Sequence, residues 1–152
     1  MGTVRHADDE EAIRALVVAY AERLDAGDLD GVADLFANGV FRSARGGAPL
    51  VGRDAVRSMY GPVLLYEGGV PRTMHVLGNI LVQPSADGDT ATAQCTFTVL
   101  QAVTDGSLGP VLAGRYHDRF ERVDGVWRFA ERVVYPDLLG DLSGHMGRRG
   151  RD

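Results

Sequence analysis

The first third of the chain is written at helical period. Ile13, Leu16, Val17, Tyr20 and Leu24 recur every three or four residues, with Glu11, Arg14, Glu22 and Arg23 between them. Such spacing predicts a helix with one apolar face. Asp8 and Asp9 stand ahead of it, where carboxylates suit the positive end of a helix dipole, and Ala26-Gly27 closes it. Asp28 is placed to cap a second, short helix carrying Val32, Leu35 and Phe36. After the Asn38-Gly39 turn, residues 40–43 read as a short strand and Gly46, Gly47, Ala48 and Pro49 as a loop. Residues 52–60 read as a third helix with Val56, Met59 and Tyr60 inward, and Gly68, Gly69 and Pro71 break the chain again.

From Thr73 the period falls to two. Residues 73–83 read as a strand and Ala86 to Asp89 as a hairpin turn. Ala91, Ala93, Cys95, Phe97 and Val99 then alternate with Thr92, Gln94, Thr96 and Thr98, the pattern of a strand with one buried face. A turn over 105–110, a strand over 111–123, the tight turn Asp124-Gly125 and a last strand over 126–134 complete the pattern. Helices followed by an antiparallel meander predict an α+β fold, with three N-terminal helices over one face of a curved, mostly antiparallel sheet.

The 152 residues suit one domain, expected over 1–142, with 143–152 as a solvated tail. A net charge of -5 excludes the basic face of a nucleic-acid binder, since only Arg148, Arg149 and Arg151 are locally basic. The single cysteine, Cys95, excludes an intrachain disulfide and a thiolate zinc site, and makes a reducing cytoplasm the expected compartment. The polar start of the chain has no apolar core of a signal peptide, and no apolar run approaches the roughly 20 residues of a membrane span. No membrane partner is expected, and without three convergent ligands no metal is either.

The chemistry-bearing residues are few. Asp25 ends the first helix, where an acid opposes the dipole; a partner would offset that, and a solvated loop would too. His75 shares a strand face with Leu77 and Asn79 and reads either as a satisfied core residue or as a base. His117 alternates with Arg115 and Arg119 and is expected on the outer face, opposite Tyr116, Asp118 and Phe120. Trp127 reads as structural, and His6 and His145, near the ends, carry no signal.

Residues 114–129, Gly-Arg-Tyr-His-Asp-Arg-Phe-Glu-Arg-Val-Asp-Gly-Val-Trp-Arg-Phe, resemble the final hairpin of SnoaL-like, nuclear-transport-factor-2-like domains. So does the opening, with Tyr20, then Leu24-Asp25-Ala26-Gly27-Asp28, then Leu35-Phe36; the resemblance runs from about Glu10 to about Tyr135. It implies a cone-shaped fold whose inner wall doubles as a pocket, and sheet-mediated assembly into a dimer or trimer. The pattern is most similar to the branch containing scytalone dehydratase, bile acid 7α-dehydratase and hexachlorocyclohexane dehydrochlorinase.

On that resemblance, Asp25 and His75 are the expected general-base dyad, Tyr20 matches a dehydratase tyrosine, and Arg132 matches an arginine of the dehydrochlorinase. Phe41 falls at an aromatic pocket position, and Asp118 resembles the acid of a polyketide cyclase. Ser43 stands where ketosteroid isomerases carry a catalytic aspartate, which argues against that chemistry. Tyr66, Cys95, Phe97, Val99 and Tyr116 complete the expected binding wall. The implied function is a cofactor-independent, dehydratase-like lyase acting on a small hydrophobic or polycyclic molecule. A cyclase, an isomerase or a non-catalytic binding module on the same pocket are the alternatives.

Overall fold

A computed structural model of the protein describes residues 2–102 and 105–147; the basic run Arg148, Arg149 and Arg151 lies outside them. Three helices, α1 (Gly2–Asp25), α2 (Leu29–Asp34) and α3 (Gly52–Met59), accompany six strands: β1 (Val40–Ser43), β2 (Leu50–Val51), β3 (Thr73–Pro84), β4 (Thr90–Ala102), β5 (Leu108–Val123) and β6 (Val126–Leu139). The strands form one sheet in the order β2-β1-β6-β5-β4-β3. Every neighbouring pair is antiparallel except β1 with β6, which run parallel with Val40 opposite Glu131. The α+β class, the helix-first order and the hairpins at Ala86–Asp89 and Asp124-Gly125 follow the expectation. Among the described residues no helix is long and apolar enough to cross a membrane.

The helical period buries what it should. Ile13, Val17, Tyr20 and Leu24 of α1 face the sheet, and Phe36 stacks on Phe129 with ring centroids 4.8 Å apart while standing edge-on to Phe41. Gly27, at φ 77°, turns the chain out of α1, and Asp28 caps α2 by accepting the Gly31 N–H at 2.8 Å. A Cβ at position 27 would collide with the Gly69 carbonyl, so only glycine fits.

The structure departs from the expected pattern at four places. First, α1 begins well before Asp8, and Asp9 is buried inside it. Its carboxylate is not a cap; Oδ1 accepts the Trp127 indole N–H at 2.9 Å and an Arg122 N–H at 3.1 Å. Asp9→Ala should leave a buried indole N–H unpaired and cost about 1–3 kcal/mol, seen as a lower Tm in a thermal melt. An unchanged Tm would show that this bond is replaced by water.

Second, the ladder of β3 with β4 shifts between Gly78 and Leu81, and Asn79 there takes φ 51°. The bulge carries Asn79 to the surface and returns Val82 to the interior, so Asn79 does not share the inner face with His75. Third, β5 and β6 are longer than the alternation suggested: the start of β5 pairs with the end of β4, Leu108 opposite Ala102, and the end of β6 pairs with β5, Leu139 opposite Leu112. Fourth, residues 143–147 do not begin a solvated tail. Leu64 N–H donates to the His145 carbonyl at 2.9 Å, Gly147 N–H to the Pro62 carbonyl at 2.8 Å, and Gln101 Nε2 to the Gly144 carbonyl at 2.8 Å.

Candidate active site

A cavity of about 170 Å³ lies between the helices and the inner face of the sheet. Helix α1 contributes Tyr20 and Leu24, β1 contributes Phe41, and α3 with the following turn contributes Met59, Tyr60 and Val63. The long strands supply His75, Phe97, Val99, Leu112, Tyr116 and Val134, and the C-terminal segment closes the set with His145 and Met146. The wall is apolar except for three tyrosines and two histidines.

Asp25 stands at the last residue of α1, beside the start of β3. Its Oδ1 lies 2.6 Å from His75 Nδ1 and accepts the Thr73 hydroxyl at 2.8 Å; its Oδ2 accepts the His75 backbone N–H at 2.7 Å. A carboxylate surrounded by donors is an acceptor only, so Nδ1 carries the ring proton and Nε2 keeps the lone pair. The His75 side chain is only 4% exposed and lines the cavity. Asp25 does not line it; it stands behind His75 and orients it.

Burial pushes the Asp25 carboxyl up, but hydrogen bonds from the His75 ring and backbone, its charge and the Thr73 hydroxyl outweigh burial and hold it below the ordinary value. A carboxylate depressed by folding stabilises the fold above its unfolded pKa of about 3.9, and that contribution is lost as pH falls through the folded value. Asp25→Asn should therefore lower Tm near neutrality, with the gap to wild type narrowing below about pH 4. Melts over the acid range check this; a gap that ignores pH would contradict it.

The Tyr20 and Tyr60 hydroxyls lie 2.8 Å apart. Burial raises the phenols of Tyr20, Tyr60 and Tyr116 above their ordinary value, so all three remain neutral hydrogen-bond donors. Behind them lies Arg132, fully buried and bidentate to Asp118 at 2.8 and 2.7 Å. The guanidinium carbon sits 4.2 Å from the Tyr20 ring centroid and 3.9 Å from that of Tyr116. Burial works against the charge on Arg132, but Asp118 outweighs it and raises its pKa.

Of the expected catalytic set, the cavity wall thus holds His75 and Tyr20, with Asp25 bonded behind. Arg132 and Asp118 do not line the cavity: they are opposite one another in the β5–β6 register and neutralise each other in the core. Phe41, Phe97, Val99 and Tyr116 line it as expected; Cys95 and Tyr66 do not. The Cys95 thiol is buried, which pushes its pKa up to about 11. Tyr66 donates its hydroxyl to the Gly144 carbonyl and so tethers the C-terminal segment. His117 lies off the cavity, packed on Tyr135 with ring centroids 4.6 Å apart.

Sequence reasoning missed His145 and Met146 at the cavity, and left Tyr60 unassigned although its helix was read with that residue inward. Leu142 and Met146, four apart in an otherwise polar and glycine-rich end, were the available signal. Among the described residues no group of three or more His, Cys, Asp or Glu is placed to hold a metal ion.

A family model described as a SnoaL-like domain matches residues 5–133. No curated protein matches the chain. Among solved structures, an NTF2-like protein with a cystatin-like fold from Novosphingobium aromaticivorans is 28% identical with a TM-score of 0.71, over 88% of this chain and 85% of that one. Rv3472 of Mycobacterium tuberculosis, described as a protein of unknown function, is 27% identical with a TM-score of 0.71, over 94% and 85%. A protein from N. aromaticivorans provisionally named a scytalone dehydratase shares the fold at 22% identity and a TM-score of 0.75, over 99% of both chains.

Proposed function

The chain belongs to the SnoaL-like domain family, and on that premise we propose that it is a cofactor-independent, dehydratase-like lyase acting on a small hydrophobic or polycyclic alcohol or ketone. The observation that carries this reading is the 2.6 Å contact of His75 Nδ1 with Asp25, with the His75 ring on the wall of an apolar cavity. With Nδ1 protonated, Nε2 is the base. It takes a proton from the carbon adjacent to the one that bears the hydroxyl, the electron pair of that C–H bond forms the C=C bond, and the C–O bond breaks as the leaving oxygen takes a proton from the His75 imidazolium and departs as water, which returns the ring to its neutral state. Asp25 stabilises the imidazolium that forms. The Tyr20 and Tyr60 hydroxyls are the donors available to an oxygen that gathers charge, and Arg132, paired with Asp118 behind the Tyr20 and Tyr116 rings, holds those rings in place.

The polar groups are sparse and the wall is aromatic and aliphatic, which suits a flat or fused-ring molecule positioned by shape. Identification of a co-purified metabolite by mass spectrometry, followed by turnover with wild type and His75→Ala, tests the proposal. Loss of 18 mass units with wild type only is the expected result. A product isomeric with its substrate would move the reading to an isomerase or cyclase using the same base, and recovery of unchanged ligand would leave a binding module.

A further inference from the structure

His145 is not part of the dyad, yet it stands on the same cavity wall as His75. It comes from the segment after the sheet, which is held in place by the Gln101 and Tyr66 bonds to the Gly144 carbonyl and by the backbone pair between Leu64 and His145. A segment pinned by hydrogen bonds from β4 and from residues 62–66, and delivering an imidazole to an apolar wall, is more than a chain end crossing the surface. The ring differs from that of His75 in one respect: its Nδ1 is buried with no hydrogen-bond partner among the described residues. Where His75 is clamped by a carboxylate, no group among the described residues bonds to His145 Nδ1 to fix its tautomer. That nitrogen is closed to the cavity as well as unpartnered, so Nε2 is the ring atom that a ligand can meet.

We propose that His145 is the specificity residue of the cavity, reading an oxygen function on the ligand by a hydrogen bond from its unanchored imidazole. A neutral imidazole both donates and accepts, so a hydroxyl or a carbonyl satisfies it, whereas an apolar substituent of the same size does not. Burial and the neighbouring His75 lower the proton affinity of His145, in keeping with a neutral ring there, while the charge of Asp25 works the other way. Tyr20, Tyr60, Tyr116 and His75 are the other polar groups of the wall, so the oxygen recognised by His145 is additional to any that they meet. The inference rests on the proposal that the cavity is a ligand site, but not on the chemistry performed there.

The test uses the full chain and two probes of matched shape, 2-naphthol and 2-methylnaphthalene, with binding measured by calorimetry. For wild type we expect 2-naphthol to bind, and for His145→Phe we expect the affinity ratio of the hydroxyl to the methyl compound to fall by about tenfold. Affinity for 2-methylnaphthalene should stay within about threefold of wild type, since the apolar wall is kept. His145→Gln, which retains a donor and an acceptor, should restore part of the ratio. In wild type, the His145 ring resonances should shift more with 2-naphthol than with the methyl compound, a readout that does not depend on any variant folding. An unchanged ratio in His145→Phe, equal shifts with the two probes, or no binding of 2-naphthol by wild type would each overturn the inference. Because only binding is read, an inert dyad would leave it standing, and a flat ratio would leave the dyad untouched.

Discussion

His75→Ala should remove nearly all turnover, with kcat/KM falling by about 10²–10⁴ or more. The expectation rests on His75 being the sole imidazole on the cavity wall that a carboxylate anchors, through the 2.6 Å contact of Nδ1 with Asp25. Asp25→Asn should preserve much of the shape but present an amide to Nδ1, removing the charge that stabilises the imidazolium and favouring the wrong tautomer. It too should cost orders of magnitude in kcat. The double variant should be little worse than His75→Ala, because residues that act as a unit are not additive. Steady-state kinetics of the three variants checks this. Additive losses would show that Asp25 acts on the site by some route other than His75, and full activity of His75→Ala on a genuine substrate would end the dyad.

The second large effect is on stability. Asp118→Ala should destabilise the protein by about 3–5 kcal/mol, because it strands the Arg132 guanidinium in a fully buried position. For a chain of this length that loss lowers Tm by about 6–20 °C. Arg132→Ala strands the Asp118 carboxylate and opens a cavity between Tyr20 and Tyr116, so its loss should be of the same order. Replacing both together, as Asp118→Leu with Arg132→Met, should recover most of the stability, since an apolar pair removes both desolvated charges. Denaturant unfolding of the single and double variants decides the matter. Tm shifts of only a degree or two in the single variants would mean that the pair is solvated. The same double variant keeps His75 and Asp25 intact, so any fall in its rate measures what the buried ion pair adds by positioning Tyr20 and Tyr116.

Much of this architecture is local in origin. The switch from 3.6-residue to two-residue period near Thr73 places the helices and the long strands, and within each strand it decides which side chains face inward. Tyr116, Asp118 and Phe120 were legible as one face of β5, and Phe97 and Val99 as one face of β4, because alternation is a property of the backbone alone. The stop at Gly27 is equally local, since a left-handed residue needs glycine wherever it falls. Asp25 and His75 were recognisable as residue types in a familiar arrangement, but by spacing alone each also fitted a bland role.

What the sequence by itself determined, then, is the set of elements and their faces; which groups meet was decided only by the tertiary structure. Asp25 and His75 are 50 residues apart, and their contact requires the end of α1 to lie on the start of β3. Asp118 and Arg132 both point inward, yet only the β5–β6 register sets them opposite each other and takes them out of the pocket. The bulge at Asn79 breaks an alternation that the residues themselves do not announce. His145 reaches the cavity because Gln101 and Tyr66 hold Gly144, three bonding partners separated by tens of residues. Periodicity is written by neighbours along the chain, whereas register, ion pairing and cavity walls are written by neighbours in space, and no local pattern carries them.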